Sequence, residues 1–136
     1  MDINCIPNMI KHLLIVDDDD DIRDVIQASL EEFAGWNITP AASSREGLNI
    51  VKSKDWDAIL LDVSMPDIDG LTMFAKLQAD PITQTIPVIF LTAKVLPSDR
   101  HRFSEIGVMG VIAKPFNPVT IWKEISQILG WHISSI

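Results

Sequence analysis

Short runs of branched and aliphatic residues alternate along this chain with longer stretches in which apolar positions recur every three or four residues. His12 to Val16, Ala58 to Leu61, Val88 to Leu91 and Gly110 to Ala113 are each too short for a helix and almost free of polar interruptions, so they predict strands buried on both faces. Between them, helical spacing links Ile22, Val25, Ile26, Leu30 and Phe33, then Leu48 and Val51, then Leu71, Phe74 and Leu77, and finally Ile121, Ile125 and Ile128. Trp36 to Ala42 fits one more strand. Pro40 inside it removes a ladder donor, which places that strand at a sheet edge. Apolar strands alternating with helices imply a parallel sheet covered on both faces, joined by right-handed crossovers: a doubly wound α/β fold.

Composition narrows the picture. The chain has 136 residues, 47% apolar and 22% charged, with 6 Gly and 8 Pro, which suits one globular domain. We expect that domain over residues 11–130, between an N-terminal tail (1–10) and a C-terminal tail (131–136). A formal charge of −8 repels phosphate backbones and anionic lipid, so no nucleic-acid or membrane partner is expected. Cys5 is the single cysteine, which excludes a disulfide framework and a thiolate metal site. With no cationic leader and no long apolar run, the expected location is cytoplasmic.

In open parallel sheets, ligands bind beyond the carboxyl ends of the strands, where strand order reverses. The first predicted strand ends in Asp17 and Asp18, the third in Asp62, the fourth in Thr92 and the fifth in Lys114, so polar groups from four strands converge on one edge. Three carboxylates there repel by roughly 3 kcal/mol per pair at ~5 Å and an effective dielectric of ~20. A hard divalent cation relieves this, and Mg2+, which keeps several waters and favours phosphate oxygens, suits the donor set. Thr92 supplies a hydroxyl donor and Lys114 a cation, the groups that offset charge on a phosphoryl group in transfer. One of the carboxylates then acts as nucleophile, giving a reactive acyl phosphate.

Each residue also has a plainer explanation. Asp17 to Asp21 form an acidic run that can simply cap the following helix; we divide it, giving Asp17 and Asp18 to the site and Asp19, Asp20 and Asp21 to the helix N-terminus. Asp62, ahead of Met65-Pro66 and Asp69-Gly70, can merely shape a turn. Thr92 alone reads as a strand end and Lys114 as a surface charge. Pro115 can be an ordinary loop residue, although a cis bond there aims the lysine inward.

Four segments, Leu14-Ile15-Val16-Asp17-Asp18, Ile59 to Gly70, Pro87 to Ala93 and Ala113-Lys114-Pro115-Phe116, together resemble the receiver domain of two-component response regulators, in order and at the expected separations. The resemblance implies a flavodoxin-like, doubly wound, five-stranded parallel sheet of order 2-1-3-4-5 with five flanking helices. It implies that Asp62 is the phosphoacceptor and that Asp17 or Asp18, Asp62 and the backbone carbonyl of Ser64 hold Mg2+. Thr92 and Lys114 contact the phosphoryl oxygens, and the Lys114-Pro115 bond is cis. The implied donor is a sensor histidine kinase or a histidine phosphotransfer domain. The chain departs from the pattern at Val111, where an aromatic usually stands, so an aromatic rotamer switch is not available.

On this reading the protein is a stand-alone signalling module and not an enzyme beyond its own phosphorylation and dephosphorylation. Its output leaves through the fourth helix, fifth strand and fifth helix toward a downstream protein, with Trp122 and Trp131 as candidate anchors for that partner; the plainer alternative is that Trp122 packs along the domain edge and that Gly130 to Ile136 is a frayed tail. Ser64 and Lys94 flank the water path to the phosphoryl group. Two alternatives remain: an aspartate-nucleophile phosphohydrolase, against which Ser64 stands where a second acidic residue is needed, and a degenerate receiver that binds without phosphorylation.

Overall fold

A computed structural model describes residues 10–65, 68–93 and 96–131. Cys5 and Lys94 lie outside the described residues. The strands are β1 (His12–Val16), β2 (Asn37–Ala41), β3 (Ala58–Asp62), β4 (Val88–Thr92) and β5 (Gly110–Ala113), and the helices are α1 (Asp20–Ala34), α2 (Ser44–Ile50), α3 (Gly70–Ala79), α4 (Pro97–Ile106) and α5 (Ile121–Leu129). All neighbouring strands pair in parallel, in the order β2-β1-β3-β4-β5. The expected flavodoxin-like, doubly wound topology is therefore present. Pro40 lies in β2 opposite Ile15, and β2 is an edge strand, as the missing donor requires.

The near-continuous apolar strands follow from coverage on both sides. Leu14, Val16, Ile59, Leu61, Val88 and Phe90 face one core together with Met73, Phe74 and Leu77 of α3 and Phe103 of α4. Leu13, Ile15, Leu60, Ile89, Leu91 and Ile112 face the other, against Ile26 and Leu30 of α1 and Ile121 and Ile125 of α5. Alternate residues of one strand thus enter different cores, and neither set can be polar. Phe90 joins Phe74 and Phe103 edge to face, at centroid separations of 5.7 and 5.1 Å.

Local chemistry ends the elements where the site needs them. Asp19 caps α1 by accepting from the Asp21 and Ile22 amides, and Gly35 closes that helix at φ 70°. Ser43 caps α2 and Asp69 caps α3. The start of α3 sits so close to the end of β3 that a Cβ on Gly70 would lie 2.4 Å from the Asp62 carbonyl oxygen and 2.8 Å from Val63 Cα. We expect Gly70→Ala to push α3 away from the strand end and to lower stability by about 2 kcal/mol, measured by urea unfolding. An unchanged midpoint would show that this packing is looser than described.

Trp131 is a packed residue. Its ring meets Trp36 edge to face at 5.2 Å, and the Lys11 ammonium lies 4.8 Å above it. Trp122 is half-buried against the α1/α5 core. Trp122 thus packs along the domain edge, and Trp131 is packed where a frayed tail was expected.

Candidate functional site

The carboxyl ends of β1, β3 and β5 meet around a cavity of about 330 Å³ lined by Asp17, Asp18, Asp19, Asp62, Ser64, Ala93 and Lys114. β3 runs between β1 and β4, so residues distant in sequence come together at the tips of adjacent strands. Asp17 is 0% exposed and Asp62 3%, whereas Asp18 is exposed. One carboxylate oxygen from each lies within 4.8 Å of the others.

Lys114 links two of these acids. Its Nζ lies 3.1 Å from Asp17 Oδ2 and 3.2 Å from Asp62 Oδ1, and it donates a hydrogen bond to the latter. The Lys114-Pro115 peptide is cis, as the resemblance implied. Burial opposes the charge on Lys114, but Asp17 and Asp62 together outweigh it and hold the ammonium above the ordinary lysine value. The Asp62 carboxyl is pushed above its ordinary value, first by burial and then by the negative charge of Asp17; the Lys114 ammonium and the Ser64 amide, 3.3 Å from Oδ1, only partly offset this.

Both oxygens of the Asp17 side chain are engaged. Oδ1 accepts from the Asp19 amide at 2.9 Å. Oδ2 is buried and pairs with the Lys114 ammonium at 3.1 Å. The donor set fits Mg2+: two buried carboxylates, one exposed carboxylate and open volume for water and phosphate oxygens.

The acidic run divides less cleanly than expected, because Asp19 caps the helix and also lines the cavity. Asp19 takes the cap position, while Asp20 and Asp21 occupy the first turn of α1. Thr92, the last residue of β4, is 2% exposed, and it is Ala93, one residue on, that lines the cavity. Ser64 is exposed at the cavity wall.

Two contributors were not anticipated. Arg23 donates to the Asp17 backbone carbonyl at 2.8 Å and pairs with Asp20, so a cation on the first turns of α1 braces the acidic loop. The signal available was its position six residues after Asp17 at the head of an amphipathic helix, which reads as an ordinary surface charge. Gly70 was noted only as part of a turn, and its close approach to Asp62 needs the three-dimensional structure to be seen.

Beside the acidic cavity lies a second hollow of about 520 Å³, largely apolar, with Ile22, Val25, Pro115, Phe116 and Pro118 in its lining.

The family model described as the response regulator receiver domain matches residues 13–126, and the chain belongs to that family. Among curated relatives it is 33% identical over 106 residues to Response regulator Rre1 of Synechocystis sp., covering 78% of this chain and 46% of that protein. It is also 33% identical over 118 residues to Response regulator SaeR of Staphylococcus aureus, covering 87% and 50%. The chain spans about half the length of the curated relatives it matches. Among solved structures, the chemotaxis response regulator CheY4 of Vibrio cholerae superposes with a TM-score of 0.81 at 28% identity, covering 88% of this chain and 98% of that one. A putative response regulator from Chloroflexus aurantiacus gives 0.79 at 35% identity, covering 89% and 98%. Among the described residues, no helix is long and apolar enough to cross a membrane.

Proposed function

We propose that this receiver domain takes a phosphoryl group onto Asp62 from a phosphohistidine of a sensor histidine kinase or histidine phosphotransfer domain. The observation that carries the reading is the Lys114 ammonium set between two buried carboxylates at the wall of an acidic cavity. An Asp62 oxygen attacks phosphorus while the phosphorus–nitrogen bond of the donor breaks, and the imidazole leaves with the electron pair. The product on this chain is an acyl phosphate. Asp17, Asp18, Asp62 and the Ser64 carbonyl would hold Mg2+, which when bound supplies charge neutralisation between the carboxylates and the incoming phosphoryl oxygens. Lys114 exchanges its Asp62 partner for a phosphoryl oxygen, and the Thr92 hydroxyl accompanies it. Later attack of water on phosphorus returns the carboxylate and inorganic phosphate.

The raised Asp62 carboxyl must be ionised to act as a nucleophile, and a bound cation favours that form. The apolar hollow along Ile22, Val25 and Phe116 adjoins the site and gives a donor domain a surface to press against. For output, the reading uses α4, β5 and α5: Leu96, Ile106 and Met109 are 67%, 43% and 52% exposed around α4 and its link to β5. Val111 is buried in β5 with no ring to swing. The signal is therefore carried by the loop after Thr92 and by movement of α4.

A small acyl-phosphate donor with Mg2+ should add one phosphoryl mass to the intact protein. The Asp17→Asn, Asp18→Asn double variant should remain folded and gain none, because mutual repulsion falls while the cation loses its ligands. Unchanged magnesium affinity in that variant by titration calorimetry would remove these two residues from the site. Beryllofluoride binding with Mg2+ separates this reading from a degenerate receiver. Against a phosphohydrolase, Ser64 offers no second carboxylate two residues after Asp62.

A further inference from the structure

We propose that Ser44 is a positioning residue for the candidate metal site: its buried hydroxyl, on α2, holds the β3–α3 loop in the arrangement that presents Ser64 to the acidic cavity. The inference rests on the metal reading above and adds a residue that touches no ligand.

Ser44 is 0% exposed, and its hydroxyl is not spent on capping, because Ser43 accepts from the Glu46 amide. Serine is a poor helix former, and burying a hydroxyl costs desolvation unless it is bonded. Alanine would suit a buried first-turn position better if nothing else were required. The hydroxyl donates instead to the Ile68 carbonyl at 2.7 Å. Met65 Sδ lies 3.9 Å away. With only one proton to give, the hydroxyl spends it on the nearer carbonyl, and the sulfur contact is packing.

The loop is pinned at both ends by its own backbone. Val63 donates to the Leu91 carbonyl at 3.2 Å, Gly70 donates to the Val63 carbonyl at 2.9 Å, and the Asp69 carboxylate accepts from Thr72 at 2.8 Å. Ser44 meets it from the side, through a different helix, at Ile68 beside the α3 cap and at Met65 beside Ser64. That helix also rests on the other ligand-bearing strand: a Cβ on Gly47 would come within 3.0 Å of Val16 Cγ2, and Val16 directly precedes Asp17. Through Ser44 and Gly47, α2 therefore bridges the end of β1 and the loop after β3, the two segments whose separation sets the distance between Asp17 and Ser64. Partners of this kind orient ligands without contacting the metal.

The test compares Mg2+ affinity by titration calorimetry, urea unfolding and amide exchange in wild type, Ser44→Ala, Thr83→Ala and Asp17→Asn. Thr83 is the control: a buried hydroxyl that donates to the Leu77 carbonyl at 2.7 Å, beyond the far end of α3. We expect Ser44→Ala to weaken Mg2+ about tenfold and to speed exchange of the Ser64 and Gly70 amides. Thr83→Ala should lose comparable stability with unchanged affinity. Wild-type affinity in Ser44→Ala, with affinity lost in Asp17→Asn, overturns the role of Ser44 and leaves the metal site standing. Equal weakening by Thr83→Ala overturns it as a mere stability effect. Affinity insensitive to Asp17→Asn overturns the metal reading and this inference with it. Should Ser44→Ala fail to fold, Ser44→Cys keeps the volume with a weak donor and carries the same expectations.

Discussion

Asp62→Asn is expected to abolish phosphoryl uptake, by at least about 100-fold, while leaving the protein as stable as wild type or about 1 kcal/mol more stable at neutral pH without Mg2+. The two halves have one cause. An amide is a feeble nucleophile toward phosphorus and a weaker cation ligand than a carboxylate, so the chemistry fails. The wild-type carboxylate is also an uncomfortable resident: burial and Asp17 raise its pKa more than Lys114 and the Ser64 amide lower it. For a group so shifted, the folded state favours the neutral form. Stability is fully present below the ordinary carboxylate value and is lost as pH rises through the raised one. Asparagine removes that cost. Intact mass after exposure to a small acyl phosphate, read beside a urea curve, tests both halves; equal phosphoryl mass at an equal rate would reassign the acceptor, and a strongly destabilised variant would mean that Asp62 is chiefly structural.

Lys114→Met should do the opposite to stability. The ammonium is the cation that reaches both buried acids, at 3.1 and 3.2 Å, and its removal leaves Asp17 and Asp62 facing each other with their mutual repulsion uncompensated. Breaking a buried pair from one side costs about 3 kcal/mol. The sign of the pH dependence follows. In the wild type the raised Lys114 value means that its contribution is fully present below the ordinary lysine value and is lost only as pH climbs through the still higher folded value. In the variant the carboxylates alone set the slope. Its deficit should grow as pH rises from below the ordinary carboxylate value through the raised Asp62 value, and it should shrink when Mg2+ is added, because a ligand that binds only the folded state stabilises it. Unfolding midpoints across that range, with and without the metal, decide the matter. A deficit that is constant with pH would show that the ion triad does not govern this end of the sheet.

The periodic elements were legible in the residues because their causes are local. Runs such as Leu13 to Val16 and Ile59 to Leu61 are apolar at every position since both sheet faces are covered, and Pro40 marks an edge because a missing donor cannot be repaired anywhere else. The helix at Pro97–Ile106 escaped the apolar periodicity. It buries only Phe103, and one anchor makes no stripe; the family resemblance, not the pattern, implied a fifth helix there. Its start relies on Pro97 within the first turn, without a side-chain cap.

Residue types, strand ends and the family resemblance together nominated Asp17, Asp18, Asp62, Thr92 and Lys114, because each alone has a plainer explanation and only their convergence on one sheet edge singles them out. Which of them meet is a tertiary matter. Only the order β2-β1-β3-β4-β5 places Asp17 beside Asp62 and brings Lys114 across β4 to both. Only packing shows Arg23 bracing the Asp17 carbonyl, Gly70 making room for the Asp62 backbone, Ser44 tying α2 to the following loop, and Trp131 folding back on Trp36. Each of these depends on contact between segments far apart in the chain, set by helix placement to within an ångström. Hydrophobic periodicity reports which face an element buries, and it carries no information about what that face will touch.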